Sequence, residues 1–346
     1  MFVGLSPACP DILEKLKTRI SAKFSATGIN ASTVFSWKSQ SELLYDLFYQ
    51  DELLLLSNKS NVINDRVFSG PHNFSRPLPT KISKFECKID LAADLDFAIQ
   101  KQEFSLVYQP IYNSLREMIW CEVFVRWQRK KDGEYVPPEI FIPLAETNNK
   151  IHDIWSWSFE TALAQLREWR THSYQLPKLS FNFSPSQADF SKNTQFSYAE
   201  QITNWCKAYN FSSRDFLIEL TETSLLKDFA AAVDLFEDLR SIGVRLCLDD
   251  FGAGFSSLSM LRFLPVSTIK IDRSFLVGLP DSAPNRAIVK ATIALASELG
   301  INVVADCVEN EQQFRFLNNL GCDYFQGYFF TKPIASNILE KLFIKN

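Results

Sequence analysis

The sequence lacks the features that define several other classes of protein. Its 346 residues contain seven cysteines, but no two of them form a CxxC pair. Because this count is odd and most of the cysteines lie in apolar runs, we interpret them as reduced thiols in a cytoplasmic protein. No stretch approaches the roughly 18 uninterrupted apolar residues of a membrane-spanning helix. We therefore expect neither a disulfide framework nor a membrane-bound protein.

Positive charge and histidine are scarce as well. Lys and Arg number 36 against 40 Asp and Glu, which gives a net charge of −4 and a pI of about 5.6. This balance argues against a protein held to DNA or lipid by charge alone. The only histidines are His72, His152 and His172, and they lie away from the predicted strand ends. Their positions disfavour a zinc site.

Phenylalanine, by contrast, is abundant. The chain contains 30 of these residues, and 46% of all residues are hydrophobic while 22% are charged. Such a composition is typical of an ordinary globular protein with a large core. The length exceeds that of a typical single domain, but it accommodates a (β/α)8 barrel of roughly 250 residues and a small additional module.

Residues 1–87 differ in pattern from the rest of the chain. Apolar residues recur at helical spacing within 1–56, which predicts a small, mostly helical N-terminal module. Residues 57–87 include a segment rich in Ser, Asn and Pro without a sustained period, which predicts a linker or an irregular loop. We assign residues 88–346 to the main domain.

Strands and helices alternate regularly in this main domain. The segments FSLVYQPIYN and EMIWCEVFVRW are separated by a short polar gap, which predicts an antiparallel hairpin. Six further strands are predicted in KLSFNFS, DFLIELTE, VRLCLDD, STIKIDRSF, INVVADCVE and CDYFQGYFF. This order predicts an α/β protein with a TIM-type (β/α)8 barrel and an antiparallel first strand. An open doubly wound sheet is the alternative, but no glycine-rich phosphate loop follows the first strand.

Polar side chains collect near the carboxyl ends of the predicted strands. Parallel strands are buried on both faces, and the active sites of barrels are built at the C-terminal rim. We therefore expect these side chains to converge on one site. They are Glu122, Asn182, Glu219, Glu222, Asp249, Asp250, Lys270, Asp272, Asp306, Glu309 and Gln326.

The converging set is rich in carboxylates and contains little positive charge beyond Lys270 and Arg126. Several carboxylates cannot share a small site while all are ionised, because like charges raise each other's pKa. Divalent cations relieve this repulsion, and oxygen ligands suit hard ions such as Mg²⁺ and Mn²⁺. Two such ions would suggest phosphoryl chemistry. Lys270 would then hold the nucleophilic water or the developing charge, and Arg126 would bind a phosphate.

Each position also has a purely structural alternative. The adjacent acids Asp249 and Asp250 could cap a helix, and Lys270 could extend its amine to solvent. Turn, loop or capping roles are equally open to Asn182, Glu222, Glu309 and Gln326. The prediction therefore rests on the whole set, because independent chance would not place an acid or amide at the end of nearly every strand.

With these residues in place, the chain resembles the EAL family of bacterial cyclic di-GMP phosphodiesterases from about residue 88 to residue 340. The resemblance implies a TIM-type barrel that hydrolyses cyclic di-GMP to linear pGpG with Mg²⁺ or Mn²⁺. It is carried by the motifs YQPI (108–111), FIPLAE (141–146), NFS (182–184), ELTE (219–222), LDDFGAGFSSL (248–258), IKIDRSF (269–275), VVADCVE (303–309) and QGYFF (326–330).

The resemblance also implies roles for individual residues. One metal ion would be bound by Glu122, Asn182, Glu219 and Asp249, and a second by Asp249, Asp250 and Asp306. We assign catalytic roles to Lys270, Asp306 and Glu222, of which Lys270 would act on the water and Glu222 would steady the DFGAGFSS loop. Substrate binding is assigned to Gln109, Arg126, Gln326 and Glu309.

Two motifs depart from the family pattern. The signature Glu-Ala-Leu is here Glu122-Val123-Phe124, which keeps the glutamate. Where the family has Ala-Glu-Gly-Val-Glu, this chain has Asp306 and Cys307 in place of the first glutamate and the glycine. The acid is therefore one methylene shorter. A displacement of about 1 Å in a catalytic group can lower a rate about 10²-fold.

The motifs that match the EAL family and those that depart from it leave two functions open. The first is an active phosphodiesterase, which the other intact site positions favour. The alternative is a catalytically weakened domain that acts as a cyclic di-GMP receptor or protein-interaction module, which Asp306 motivates. A homodimer through the barrel is expected in either case. DNA binding by the N-terminal module is less favoured, because residues 1–81 contain about as many acids as bases.

Overall fold

The structure, a computed structural model, describes residues 91–172, 176–184, 186–187, 197–222, 229–252 and 261–343. The predicted helical module at 1–56, the linker at 57–87 and the possible DNA-binding segment within 1–81 lie outside these residues. So does most of the DFGAGFSS loop, from residue 253 onward. In the described part of the chain, no helix is long and apolar enough to cross a membrane.

The strands and helices alternate as the sequence predicts. The strands are β1 (Phe104–Asn113), β2 (Met118–Gln128), β3 (Tyr135–Val136), β4 (Lys178–Asn182), β5 (Phe216–Thr221), β6 (Arg245–Phe251), β7 (Thr268–Ile271), β8 (Asn302–Ala305), β9 (Tyr324–Phe325) and β10 (Ile334–Ala335). The helices are α1 (Pro138–Thr147), α2 (Ile151–Thr171), α3 (Tyr198–Tyr209), α4 (Phe229–Ser241), α5 (Arg273–Leu276), α6 (Ala283–Leu299), α7 (Glu311–Asn319) and α8 (Ser336–Leu339). Residues 91–98 are also helical.

The sheet closes into a barrel. Strands β2, β4, β5, β6, β7, β8 and β9 follow one another in parallel register. Strand β1 pairs antiparallel with β2 on one side and with β9 on the other, which joins the two edges of the sheet. The predicted TIM-type barrel with an antiparallel first strand is confirmed. Closure removes both sheet edges and brings the carboxyl ends of the parallel strands to one rim.

Two features of the sheet differ from the sequence prediction. Two short antiparallel strands, β3 and β10, extend it beyond the eight predicted strands, and each has only two residues. Strands this short contain no period that a sequence could reveal. Strand β9 is also shorter than the segment CDYFQGYFF, because the chain turns at Tyr328–Phe330 after Gly327.

Local signals in the sequence explain where the helices begin and end. Helix α3 begins after Ser197, whose side chain accepts a hydrogen bond from the backbone N–H of Glu200. Helix α7 begins after Asn310, which caps it in the same way. Helix α6 ends at Leu299, and Gly300 follows it with a φ of +67°, a conformation that suits a residue without a Cβ. These caps fix where each helix returns the chain to the sheet.

The abundant aromatic residues form the layer between the sheet and its helices. Phe159 of α2 lies against Phe181 of β4 and Phe216 of β5, with ring centroids 4.6 and 4.9 Å apart. A second buried cluster holds residues 91–98 against the barrel, where Leu95 packs with Trp127. Arg129 strengthens this junction through an ion pair with Asp94. The C-terminal end of the strand that carries Glu122 is therefore packed against a helix through Trp127.

Gly327 provides a test of how closely the rim loops are packed. A Cβ on this residue would lie 2.2 Å from the backbone oxygen of Val308. We expect Gly327→Ala to lower the free energy of unfolding by about 3 kcal/mol or more, because the backbone itself must move. Gly133→Ala is the matched control, since Gly133 also has a positive φ but no atom within 4 Å of its Cβ position. Gly133→Ala should lower the free energy of unfolding by only about 1–2 kcal/mol.

The measurement is urea unfolding of both variants beside the parent chain. Equal losses for the two variants would show that the contact with Val308 is not as close as described.

Candidate active site

A buried lysine lies at the centre of the barrel rim. Lys270 of β7 is 2% exposed, and its Nζ lies 2.8 Å from Oε2 of Glu122 and 2.9 Å from Oε2 of Glu219. Oδ1 of Asp249 is 3.8 Å away. A charge removed from water is tolerated only when opposite charges and hydrogen bonds surround it. Lys270 therefore does not extend to solvent, and it neutralises part of the charge of acids from three other strands.

Glu122 is the most heavily bonded of these acids. It accepts hydrogen bonds from Lys270, from Nδ2 of Asn182 at 2.6 Å and from Nε2 of Gln326 at 2.8 Å. Gln109, directly opposite Glu122 in the β1–β2 pairing, accepts a bond from Gln326 at 3.2 Å. Its own amide donates to the carbonyl of Thr331. Two amides from separate strand ends, Asn182 and Gln326, thus fix the carboxylate of Glu122, and Gln109 fixes the amide of Gln326 in turn.

The adjacent acids Asp249 and Asp250 lie on a β-bulge. In the β6–β7 pairing the register shifts between Leu248 and Phe251, so one extra residue stands on β6. Oδ1 of Asp249 accepts the backbone N–H of Asp250 at 2.9 Å. Bulges of this kind redirect side chains next to active sites. Here the bulge turns both acids toward the rim beyond the buried end of the strand.

Two further predicted residues flank this bulge. Oε2 of Glu222 accepts the backbone N–H of Gly252 at 2.9 Å, where the DFGAGFSS loop begins. Asp306 follows β8, and its Oδ1 accepts the N–H of Cys307 at 2.6 Å. Both contacts hold a rim segment through a carboxylate and a backbone amide.

Burial and mutual repulsion shift the pKa values of these acids. Burial, reinforced by the charge of Glu122, raises the pKa of Glu219 to about 8. Burial and the neighbouring Asp249 raise the pKa of Asp250 to about 6, and burial also raises the pKa of Asp306. Burial opposes ionisation of Glu122 as well, but Lys270, Gln326 and Asn182 outweigh it, and its pKa is lowered. Lys270 thus does not offset burial and mutual repulsion at Glu219, Asp250 and Asp306.

The donor set suits a hard divalent ion. All the side chains around Lys270 offer oxygen, and Oε1 of Glu219 is buried without a hydrogen-bond partner among the described residues. An unpaired buried carboxylate oxygen is costly, and a cation would remove that cost. In the described ranges, no three His, Cys, Asp or Glu side chains already form a metal-binding cluster, and the Lys270 ammonium lies between the acids.

A cavity of about 390 Å³ lies beside the acids and shares Asn182 with them. Arg126 is at its wall, with the guanidinium carbon 5.3 Å from the centre of the Phe124 ring. Ser184 and Glu146, which are hydrogen-bonded to each other at 2.5 Å, also line it. Apolar side chains form most of the remaining wall: Val123, Val125, Ile142, Ile151, Ile154, Trp155, Phe181 and Phe183.

Most of the predicted site residues lie together, but Glu309 does not. Its side chain is 56% exposed and lies 3.4 Å from Arg273. Glu146, Ser184 and Trp155 line the cavity but were not predicted as site residues; Glu146 and Trp155 lie on helices α1 and α2 rather than at strand ends. The motifs FIPLAE and NFS already contained the first two of these residues. The residues brought into the rim or the cavity wall are Gln109, Glu122, Arg126, Asn182, Glu219, Glu222, Asp249, Asp250, Lys270, Asp306 and Gln326.

Comparison with known proteins agrees with this geometry. The family model of the EAL domain matches residues 92–333. The oxygen sensor protein DosP of Escherichia coli (strain K12) is 34% identical over 283 residues, which are 82% of this chain and 35% of that protein. The cyclic di-GMP phosphodiesterase NbdA of Pseudomonas aeruginosa is 30% identical over 95% of this chain and 41% of its own length. The chain thus spans less than half the length of these relatives.

Solved structures show the same barrel. The PaMucR phosphodiesterase, in complex with c-di-GMP, superposes with a TM-score of 0.65 at 32% identity, over 72% of this chain and 99% of that one. The EAL enzyme Bd1971, with cAMP and cyclic di-GMP bound, gives a TM-score of 0.68 at 30% identity, over 75% and 69%.

Removal of the central lysine tests the electrostatics. Lys270→Met leaves Glu122, Glu219 and Asp249 without their buried cation, so we expect the metal-free protein to lose about 3–5 kcal/mol of stability at pH 8. The loss should be smaller at pH 5. The buried acids can then take up protons in the folded state, whereas acids in the unfolded chain keep pKa values near 4 and release them as the pH rises.

The measurement is urea unfolding in a metal chelator at both pH values. Lys290→Met, at an exposed position of α6, is the matched control and should change stability by no more than about 0.5 kcal/mol. A loss that does not depend on pH would contradict the ion-pair account.

Proposed function

The chain belongs to the EAL domain family, and we propose from this that it hydrolyses cyclic di-GMP to linear pGpG with Mg²⁺ or Mn²⁺. The observation that carries the proposal is the surplus of buried carboxylate oxygens around Lys270, immediately beside a cavity that Arg126 lines. A relative named as a cyclic di-GMP phosphodiesterase, NbdA, is similar in sequence, and the PaMucR phosphodiesterase in complex with c-di-GMP is similar in structure. The specific ions and the product are part of the proposal.

The oxygen ligands divide into two groups at the rim. Glu122, Asn182 and Glu219 lie on adjacent strands in the β2–β4–β5 order and would hold one ion. Asp249, on the next strand, would be shared with a second ion that Asp250 and Asp306 also hold. Such ions, when bound, stabilise the attacking and leaving oxygens of a phosphodiester displacement. The pKa of Glu219, raised to about 8, means that this acid releases a proton when a cation binds near neutral pH, whereas Asp250, with a pKa of about 6, is already mostly ionised.

Lys270 acts as a fixed positive charge in this proposal. The pKa of Lys270 is raised well above its ordinary value, since the surrounding acids outweigh the effect of burial. Its Nζ therefore keeps its proton, and it orients the attacking water and stabilises the negative charge that develops on the phosphate. Asp306, whose pKa is raised by burial, is available to accept the proton of that water.

The substrate is held by the cavity wall. The Arg126 guanidinium would bind a phosphate, which its planar fork of donors suits. The apolar wall that includes Trp155 and Phe183 would pack against a purine base. Ser184 and Glu146 offer polar contacts at the same wall. The cavity thus combines one positively charged side chain, Arg126, with a large apolar surface, as expected for a site that binds a nucleotide with flat bases.

Hydrolysis of cyclic di-GMP by purified protein with Mg²⁺ or Mn²⁺, followed by chromatography of the products, tests the proposal. We expect linear pGpG to form, and a chelator to abolish it. Glu122→Gln should lower the rate at least about 10²-fold, because it removes the charge of the most heavily bonded ligand. Glu298→Gln, at an exposed position of α6, is the matched control. Full activity of the Glu122 variant or in chelator would refute the proposed mechanism.

A receptor for cyclic di-GMP is the second candidate function. It is favoured by Asp306, whose short side chain is turned back onto the N–H of Cys307 and so reaches less far toward Lys270 than a glutamate would. A receptor would bind the dinucleotide at the same cavity without releasing pGpG. Ligand binding measured by calorimetry, combined with the product assay, separates the two functions.

Lengthening the acid tests whether Asp306 limits turnover. We expect Asp306→Glu to raise kcat by up to about 10²-fold, because the added methylene moves the carboxylate about 1 Å further into the site. The measurement is steady-state hydrolysis of cyclic di-GMP. Asp281→Glu, at an exposed position, serves as the control for the chemical change alone. A rate unchanged or lowered by Asp306→Glu would show that the shorter acid is not the limiting group.

Dimerisation through the barrel and a location in the cytoplasm stay predictions.

A further inference from the structure

Two strand ends at the rim share one local arrangement. At the end of β6, Oδ1 of Asp249 accepts the N–H of the next residue, Asp250, whose φ is +53°. After β8, Oδ1 of Asp306 accepts the N–H of the next residue, Cys307, whose φ is +64°. In both places an aspartate is bonded to the backbone of a following residue in the left-handed region. We call these two pairs the aspartate supports.

The aspartate supports lie on either side of Lys270. Strand β7 pairs with β6 on one side and with β8 on the other. Each support fixes one oxygen of its carboxylate to the peptide N–H between its two residues. The left-handed φ of the second residue sets how that peptide, with the acid bonded to it, is oriented relative to the chain that follows. The placement of both acids around the central lysine therefore depends on two unusual backbone conformations.

The two supports differ in how well their residues tolerate the left-handed region. Asp is several-fold enriched there, whereas Cys is not, and a side chain with a Cβ is strained in it. The neighbouring chain holds Cys307 in place. The N–H of Val308 donates to Gln326, its carbonyl accepts from Phe329, and Gly327 packs directly against it. A strained residue persists where the surrounding structure fixes it in this way, and such residues cluster at active sites.

We propose that Cys307 is a positioning residue, whose left-handed backbone holds Asp306 in place for a divalent cation at the rim. The ligand is a divalent cation, the class of ion named in the proposed function. The inference rests on the proposed function only for the choice of this ligand. The role of Cys307 belongs to its backbone rather than to its thiol. The thiol is itself close enough to hydrogen-bond to Asp306, so the test must separate the two.

Binding of Mn²⁺ to the full chain, measured by calorimetry without any dinucleotide, provides the test. Cys307→Val should weaken binding by about 10-fold or more, because a β-branched residue disfavours the left-handed region and the support of a metal ligand typically affects affinity 10–100-fold. Cys307→Asn and Cys307→Gly, which tolerate that region, should bind within about threefold of the parent chain or more tightly.

Gln102→Gly is the matched control, since Gln102 is exposed, has a φ of +55° and lies in the turn before β1. It should leave Mn²⁺ binding unchanged. Loss of binding in both the Gly and Asn variants would overturn the inference in favour of the thiol. Equal binding by all variants, or no binding by the parent chain, would also overturn it. If the ranking holds but cyclic di-GMP is not hydrolysed, the positioning role stands and the proposed enzymatic function fails.

Discussion

The rim of this barrel depends on one buried ammonium group. Lys270 lies between Glu122 and Glu219, which are 148 and 51 residues away in sequence, and all three side chains are almost completely buried. Neither the acids nor the lysine could be placed there alone, because an unpaired buried charge costs several kcal/mol. The barrel must therefore close in one register for any of these charges to be tolerated. The same contact ties the stability of the fold to the geometry of the site.

Backbone geometry supplies what this ion pair does not. Charge attraction has little directional preference, so it cannot by itself fix the orientation of a carboxylate. At this rim three backbone features do so: the bulge at Asp249–Asp250, the hydrogen bond between Glu222 and Gly252, and the left-handed conformation of Cys307. Each of these devices uses a backbone amide to hold a carboxylate or a loop. The site thus combines a non-directional attraction at its centre with directional hydrogen bonds at its edge.

Sequence patterns predicted the barrel and most of the site, because period and strand-end position are local properties. The β1–β2 hairpin and the alternation of strands and helices follow from spacing alone. The contact of Lys270 with three acids could not be predicted from spacing, since it exists only once the barrel closes. Glu309 was predicted to bind substrate, yet its side chain is exposed and lies 3.4 Å from Arg273. Two residues before it, Cys307 has a φ of +64°, and a left-handed backbone at a cysteine has no sequence signal.

The pKa pattern decides which groups respond when a cation binds. Lys270 is the group whose pKa is raised well above its ordinary value, so its proton is the hardest to remove. Glu219 has a pKa raised to about 8, so near neutral pH it holds a proton that an ordinary acid would have released, whereas Asp250, with a pKa of about 6, is already mostly ionised there. A divalent ion that binds at the rim therefore displaces the proton of Glu219, while the ammonium group stays charged. The lysine and the cation then act side by side on the same carboxylates. This arrangement requires more acid oxygens than either positive charge alone could satisfy, and the unpaired Oε1 of Glu219 shows that the described rim provides such an oxygen.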